Sequence, residues 1–252
     1  MRKKIFAKIL SQSRIGTGIY DIRLEADEIA REAKPGQFVA VYAKDGSRLL
    51  PRPVSICEVR GEMLRLVYRV VGEGTREFAS YRAGETLAVM GPLGNGFPLE
   101  KKKAFLIGGG IGIPPMLELA KHLDCEKQIL LGYRDEVFLH SEFEAYGQVY
   151  LATEDGSAGI KGTVMDAIRE NGLEADVIYA CGPKPMLRAV KAYAETNHIT
   201  AWISMEERMA CGIGACLACV CESKDRDEYS HVHNKRVCKD GPVFDAREVE
   251  LG

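Results

Sequence analysis

Four cysteines constrain this chain more than any other feature. Cys211, Cys216 and Cys219 fall within nine residues, C-G-I-G-A-C-L-A-C, and Cys238 follows nineteen positions later in K-R-V-C-K-D-G. The spacing C-x4-C-x2-C with a distant fourth cysteine is that of a plant-type [2Fe–2S] cluster. Two irons need four thiolates, and one short loop must gather three of them around a small object. Gly212 and Gly214 let the loop turn tightly and aim N–H groups at the sulfurs. Such a centre moves one electron at a time, so the spacing points to electron handling. The competing reading is a non-redox binding module holding structural zinc, with His231 and His233 as further donors near Cys238. Zinc prefers paired C-x2-4-C arms, whereas this loop packs three cysteines into nine positions. The two histidines read as solvated loop residues.

The other cysteines say less. Cys57 and Cys125 stand alone and read as inert buried thiols. Cys221 reads as a β-like position beside the loop rather than a spare ligand. Eight cysteines, at least half of them in one C-terminal segment, suit a reducing cytoplasm with bound metal better than a secreted disulfide scaffold. The 252 residues are 46% hydrophobic, enough for two compact units. The net charge of −2, from 34 basic against 36 acidic residues, offers no basic stripe for nucleic acid. No apolar run approaches ~18 residues, so no transmembrane helix is expected. The opening M-R-K-K-I-F-A-K-I-L, interrupted by Lys8 and followed by Gln12, reads as a first strand rather than a signal peptide.

Three segments follow along the chain. Residues 1–98 hold β-rich runs at Ile5–Leu10, Tyr20–Leu24, Phe38–Tyr42, Met63–Val70 and Thr86–Met90, separated by glycine and proline turns. Strands at this spacing predict an antiparallel barrel. Residues 99–205 alternate: strand 104–107, helix Pro114–Leu123, strands Gln128–Leu131 and Val149–Ala152, helix Val164–Glu170, strand Val177–Ala180, helix Pro185–Glu195 and strand Ala201–Ser204. That alternation predicts a parallel sheet with helices on both faces. Residues 206–252 form a small third unit, too short to bury much and expected to depend on its metal centre.

Two glycine-containing turns in the α/β segment are candidate nucleotide contacts. Gly108-Gly109-Gly110-Ile111-Gly112 ends a strand and opens a helix, and Pro114 and Pro115 suit the first helical turn. Bare backbone there admits a pyrophosphate, although the spacing departs from G-x-G-x-x-G and a plain tight turn is the other reading. Cys181-Gly182-Pro183 also ends a strand and would face the same crevice, unless Cys181 is simply a buried small thiol. Arg134 at the end of the second strand could meet a 2′-phosphate, whereas Asp135 and Glu136 would repel one, which leans to NAD. In the first segment, Arg52-Pro53-Val54-Ser55 and Tyr68-Arg69-Val70-Val71-Gly72-Glu73-Gly74-Thr75 are candidate cofactor contacts. An arginine fork matches phosphate oxygens, and a Gly-Thr pair offers backbone and hydroxyl donors. Taken singly, Arg52 and Arg69 could be surface charge and Gly74 a simple turn.

The combination of R-P-x-S, a downstream G-T, G-G-G-I-G and C-G-P resembles the ferredoxin–NADP reductase superfamily over residues 1–205. The stretches 204–216 (S-M-E-E-R-M-A-C-G-I-G-A-C), 237–244 (V-C-K-D-G-P-V-F), 91–97 (G-P-L-G-N-G-F) and 68–75 resemble the electron-transfer subunits of class 1B dihydroorotate dehydrogenases. The resemblance implies an α+β multidomain protein: an antiparallel β-barrel holding FAD, an α/β parallel-sheet domain taking NAD, and a small C-terminal [2Fe–2S] unit. It implies that Arg52 to Ser55, Val67, Tyr68, Arg69, Gly74 and Thr75 hold FAD, and that Cys211, Cys216, Cys219 and Cys238 ligate the irons. The gap before Cys238 is a few residues longer than the family's usual one, and its charged insertion, residues 224–234, is expected to loop outward. The resemblance further implies a cytoplasmic partner, an FMN-containing dihydroorotate dehydrogenase catalytic subunit, in a heterotetramer of two copies of each and a role in pyrimidine biosynthesis. Related reductase subunits serving sulfide, sulfite, hydrogenase or ferredoxin chemistry share the same core and are the alternative. No constellation built for an organic substrate is visible, in keeping with a transfer subunit.

Overall fold

The computed structural model describes residues 3–226 and 231–252. The first segment builds β1 (Lys3–Gly16), β2 (Ile19–Glu25), the short helix α1 (Asp27–Ala30), β3 (Phe38–Tyr42), β4 (Arg52–Arg60), β5 (Met63–Arg69), α2 (Glu73–Ser80) and β6 (Thr86–Leu93). The six strands close into an antiparallel barrel in the order β1-β2-β5-β4-β3-β6. Ile9, Ile22, Leu24, Val39, Val41, Ile56, Leu64, Leu66, Leu87 and Val89 alternate inward and fill it.

One barrel strand is absent from the sequence reading. Residues 52–60, R-P-V-S-I-C-E-V-R, carry a proline and a buried glutamate, two features that argue against a strand on pattern alone. Pro53 occupies the second position of β4, and Glu58 is compensated by basic partners from other elements. Helix α2, which starts within the 68–75 stretch and runs on to Ser80, is also absent from the sequence reading.

The second segment contributes β7 (Ala104–Gly109), α3 (Pro114–His122), β8 (Lys127–Tyr133), α4 (His140–Phe143), β9 (Gln148–Thr153), β10 (Ile160–Lys161), α5 (Val164–Glu170), β11 (Val177–Cys181), α6 (Lys184–Thr196) and β12 (Thr200–Ser204). The sheet order β10-β9-β8-β7-β11-β12 is parallel throughout. Central β7 is wholly buried, as expected of a strand covered on both faces. Phe105 and Ile107 pack with α5 and α6, while Ala104 and Leu106 pack with α3 and α4.

The C-terminal segment carries the hairpin β13 (Val220–Glu222) and β14 (Asn234–Arg236), then β15 (Val243–Asp245). β15 pairs antiparallel with β12 and becomes the seventh strand of the nucleotide sheet. Cys219, Val237, Cys238, Phe244, Val249 and Leu251 belong to the same apolar cluster as Phe38 and Leu93 of the barrel and Ile178 and Ile203 of the sheet. The segment therefore has no core of its own. Cys221 sits buried on β13. His233 hydrogen-bonds through Nδ1 to the Lys224 carbonyl at 2.9 Å. Of the charged insertion, residues 227–230 lie outside the described residues. Among those described, no helix is long and apolar enough to cross a membrane.

Candidate redox and nucleotide sites

The cysteine loop presents its sulfurs to its own backbone. Gly212 and Gly214 both adopt positive φ, 67° and 82°, which side chains rarely tolerate. These turns point the Ile213 and Cys216 N–H groups at Cys211 Sγ, at 3.5 and 3.4 Å. Gly214 N–H donates to Cys238 Sγ at 3.1 Å, and Cys238 N–H to Cys219 Sγ at 3.4 Å. Cys216 Sγ lies 3.3 Å from Cys211 Sγ. These contacts bring the four cysteines together. They stand as two pairs, Cys211 with Cys216 and Cys219 with Cys238. Two irons that each need two thiolates fit that arrangement.

The loop is electrostatically uneven. Burial opposes ionisation of Cys211, but the N–H donors of Ile213 and Cys216 outweigh it and lower the thiol to about 6. Burial, followed by the neighbouring Cys219, pushes Cys238 up to about 12. The N–H donors thus favour the thiolate at the first sulfur, and burial disfavours it at the last.

The nucleotide turns meet at the topological switch of the sheet. The chain runs outward from β7 through β8 and β9, then returns to β11 on the other side of β7. Ligands in open α/β sheets bind at such a crevice. Gly110 has φ 52° and faces open space. Gly110–Gly112 form a 3₁₀ turn before α3, so the glycines lead into the helix rather than forming its first turn. Gly112 is packed against the Cys181 carbonyl and the Gly182 nitrogen, and Gly109 against Pro183 and Met186. Gly108 rests on Ile113 and pairs with Cys181 in register. Burial pushes the Cys181 thiol up to about 12, so it is a neutral wall of the crevice. Lys184 and Glu206 line a small pocket beside Gly182 and Pro183, and Lys184 pairs with Glu207 at 2.6 Å. That ion pair ties the nucleotide turn to the segment entering the cysteine loop. Glu136 is engaged elsewhere, accepting Thr17 N–H of the barrel at 2.6 Å.

The barrel candidates divide by face. Val54 and Tyr68 point inward, and Tyr68 stacks on Tyr20 at 5.9 Å and donates to Gln12 Oε1 at 3.1 Å. Only their backbones could serve a ligand. Pro53 and Ser55 lie on the outer face of β4, and Val67 and Arg69 on the outer face of β5, Val67 packing towards the nucleotide domain. Arg52 lies over the bare backbone of Gly74 at the start of α2, where any side chain would displace the guanidinium. The Thr75 hydroxyl accepts Val71 N–H at 2.9 Å and donates to the Gly72 carbonyl at 3.0 Å, fixing that turn. An arginine beside a helix start suits a diphosphate.

β3 connects this face to the cysteine loop. Phe38 pairs with Ser55 and Ala40 with Pro53, and Gly212 packs on Ala40 and Leu93. The loop therefore rests on the strand adjacent to Pro53–Ser55, β3 and β4 being roughly 4.8 Å apart as paired strands. Asn95, in the G-P-L-G-N-G-F stretch, clamps the arrangement: its N–H bonds the Gly241 carbonyl at 2.7 Å and its amide the Asp240 carbonyl at 2.9 Å.

A closed antiparallel barrel, a switch-point nucleotide sheet and a four-cysteine loop between them define an iron–sulfur oxidoreductase with a ferredoxin-reductase-type fold. Residues 206–250 match the iron-sulfur cluster binding domain of dihydroorotate dehydrogenase B, and residues 106–192 an oxidoreductase NAD-binding domain. The chain is 42% identical to the dihydroorotate dehydrogenase B (NAD(+)) electron transfer subunit of Caldanaerobacter subterraneus subsp. tengcongensis, with 99% of each chain covered. It is 45% identical to that of Bacillus velezensis, over 99% of this chain and 100% of the relative. The chain belongs to the family of dihydroorotate dehydrogenase B electron transfer subunits. Among solved structures, the NADH-dependent reduced ferredoxin-NADP oxidoreductase matches at a TM-score of 0.88 and 28% identity, covering 98% of this chain and 90% of that one. Phthalate dioxygenase reductase, at 17% identity and a TM-score of 0.62 over 93% and 94% of the two chains, shares the fold.

Proposed function

We propose that the chain exchanges electrons between NAD and an FMN-bearing dihydroorotate dehydrogenase catalytic subunit, through FAD on the barrel and the [2Fe–2S] cluster of the cysteine loop. The observation that carries this reading is the spatial order of the sites: nucleotide crevice, outer face of β4 and β5, then the loop resting on Ala40 and Leu93. FAD exchanges electrons in pairs or singly and thereby reconciles a two-electron nicotinamide with a one-electron cluster. The residues do the rest. Arg52 and the turn fixed by Thr75 bind the diphosphate, Ser55 and Val67 orient the ring, and Gly108 to Gly112 with Gly182 let the nicotinamide dinucleotide approach. Cys211, Cys216, Cys219 and Cys238 hold the irons, with the Gly214 and Cys216 N–H groups moderating charge at the sulfurs.

Exposed apolar side chains around the loop support a partner there. Leu217 is 67% exposed and Ile213 37%. In this reading the partner docks over them, in a cytoplasmic heterotetramer serving pyrimidine synthesis. Leu217→Glu is expected to weaken the complex by about tenfold or more, the loss of a central apolar anchor, with cluster and flavin spectra unchanged. Size-exclusion chromatography of the co-expressed subunits reads the result, and an unaffected complex moves the interface elsewhere.

The reading is tested by isolating the chain with its partner and taking a visible spectrum before and after dithionite. Flavin and a bleaching iron–sulfur band are expected, with iron at about two per chain. A colourless protein containing zinc would end it. Arg52→Ala is expected to leave a folded protein that loses at least half its flavin on gel filtration, because the diphosphate loses a charged fork worth about 1.5–3 kcal/mol. Full flavin retention would remove Arg52 from the site.

A further inference from the structure

A buried group of charges joins the barrel to the nucleotide domain and takes no part in the sites above. Arg65 of β5 is 2% exposed and points out of the barrel towards the nucleotide domain. Its guanidinium forks two ways. On the barrel side, Nε and Nη2 donate to Asp21 at 3.1 and 2.8 Å, and Nη1 to Glu58 at 3.3 Å. Across the joint, Nη1 and Nη2 donate to Glu142 of α4 at 2.6 and 2.9 Å. A second clamp lies beside the first. Lys121 of α3 donates to Glu58 at 3.2 Å and to the Val59 carbonyl at 2.9 Å, while Glu118 of α3 accepts Val59 N–H at 2.9 Å.

Stability alone does not call for this arrangement. Burying charges carries a heavy desolvation penalty, and well-packed apolar groups are often as stable. What a planar guanidinium adds is direction, because its donors engage carboxylates only over a narrow range of angles. Of the clamped elements, β4 and β5 carry proposed flavin contacts and α3 follows the glycine turn. Arg65 lies two residues from Val67 on the same face of β5, about 7 Å along the strand. Helix α3 begins at Pro114, two residues after Gly112.

We infer that Arg65 is a positioning residue: through Glu142 it sets the orientation of the nucleotide domain on the barrel, and so the approach of the nicotinamide to the flavin. The inference rests on the proposed placement of FAD. The reaction served is NADH + FAD + H⁺ → NAD⁺ + FADH₂, run in either direction. Such transfers need reacting atoms about 3–3.5 Å apart, and a displacement of about 1 Å can cost about 100-fold in rate.

The test uses the flavin-loaded protein with Glu142→Gln and Arg65→Lys. Glu142 is 40% exposed, and Glu142→Gln leaves the barrel partners of Arg65 in place, so this variant decides alone if Arg65→Lys does not fold. Amide hydrogen exchange over residues 138–146 is expected to quicken at least tenfold, with β8 and β11 unchanged. Flavin reduction at saturating NADH is expected to slow 10- to 100-fold, with the NADH dissociation constant within twofold and the flavin potential unmoved. Faster exchange with an unchanged reduction rate would make the clamp purely structural and overturn the inference. Unchanged exchange and rate would do the same. An unmutated protein that carries no flavin would overturn the placement of FAD itself, a distinct failure.

Discussion

Replacing Cys219 with serine is expected to yield a protein that keeps its flavin and loses its cluster. Cys219 is 1% exposed, receives the Cys238 N–H, and its own carbonyl accepts Val237 N–H at 2.9 Å. It is both a ligand candidate and a joint between the loop and the β13–β14 hairpin. Losing a group outside the ligand shell costs a metal site about 10–100-fold, and losing a ligand should exceed that. Iron content should fall close to zero and the iron–sulfur band should vanish. NADH should still reduce the flavin, with ferricyanide as acceptor, while electron delivery to the partner falls to background. The thermal midpoint should also fall, because metal binding contributes folding energy. Full iron content in this variant would remove Cys219 from the cluster.

The second large effect is expected from Gly112→Ala. A methyl group at Gly112 would overlap the Cys181 carbonyl and the Gly182 nitrogen. Both are backbone atoms of the second nucleotide turn and cannot swing aside as a side-chain tip would. Overpacking of this kind costs about 1–3 kcal/mol, and the strain falls on the contact that holds the two turns together. The KM for NADH should rise at least tenfold, equivalent to about 1.4 kcal/mol, and the thermal midpoint should drop. Reduction of the cluster by dithionite should be unaffected. Steady-state kinetics and calorimetry read the two effects, and an unchanged KM would show that the turns do not form the nucleotide crevice.

Much of this architecture was legible because local pattern and fold agree. The apolar run 104–107, short and ended by glycines, reads as a strand covered on both sides, and the alternation after it points to a parallel sheet. The cysteine spacing reads directly because a cluster's geometry is small and fixed. What escaped were elements whose residues violate local rules for the sake of distant partners. β4 carries Glu58, which is paired with Arg60 of its own strand and with Lys121 and Arg65, which arrive from elsewhere. β15 is three residues long and has no signal of its own, since only the edge of β12 makes it a strand. Among the candidate flavin contacts, sequence could not separate Ser55 and Val67, which face outward, from Val54 and Tyr68, which fill the barrel.

The sequence by itself determined the chemistry: four thiolates, two glycine turns, an arginine and a Gly-Thr pair, each a local pattern whose spacing sets what it can bind. Only the tertiary structure decided their order in space. The eighteen residues between Cys219 and Cys238 close through a hairpin, two turns far apart in sequence touch at Gly112 and Cys181, and Arg65 holds two domains at one angle. Those relations depend on long-range packing and on ion pairs such as those of Arg65 with Asp21 and Glu142, 44 and 77 residues away along the chain. No local window of sequence contains both halves of such a contact.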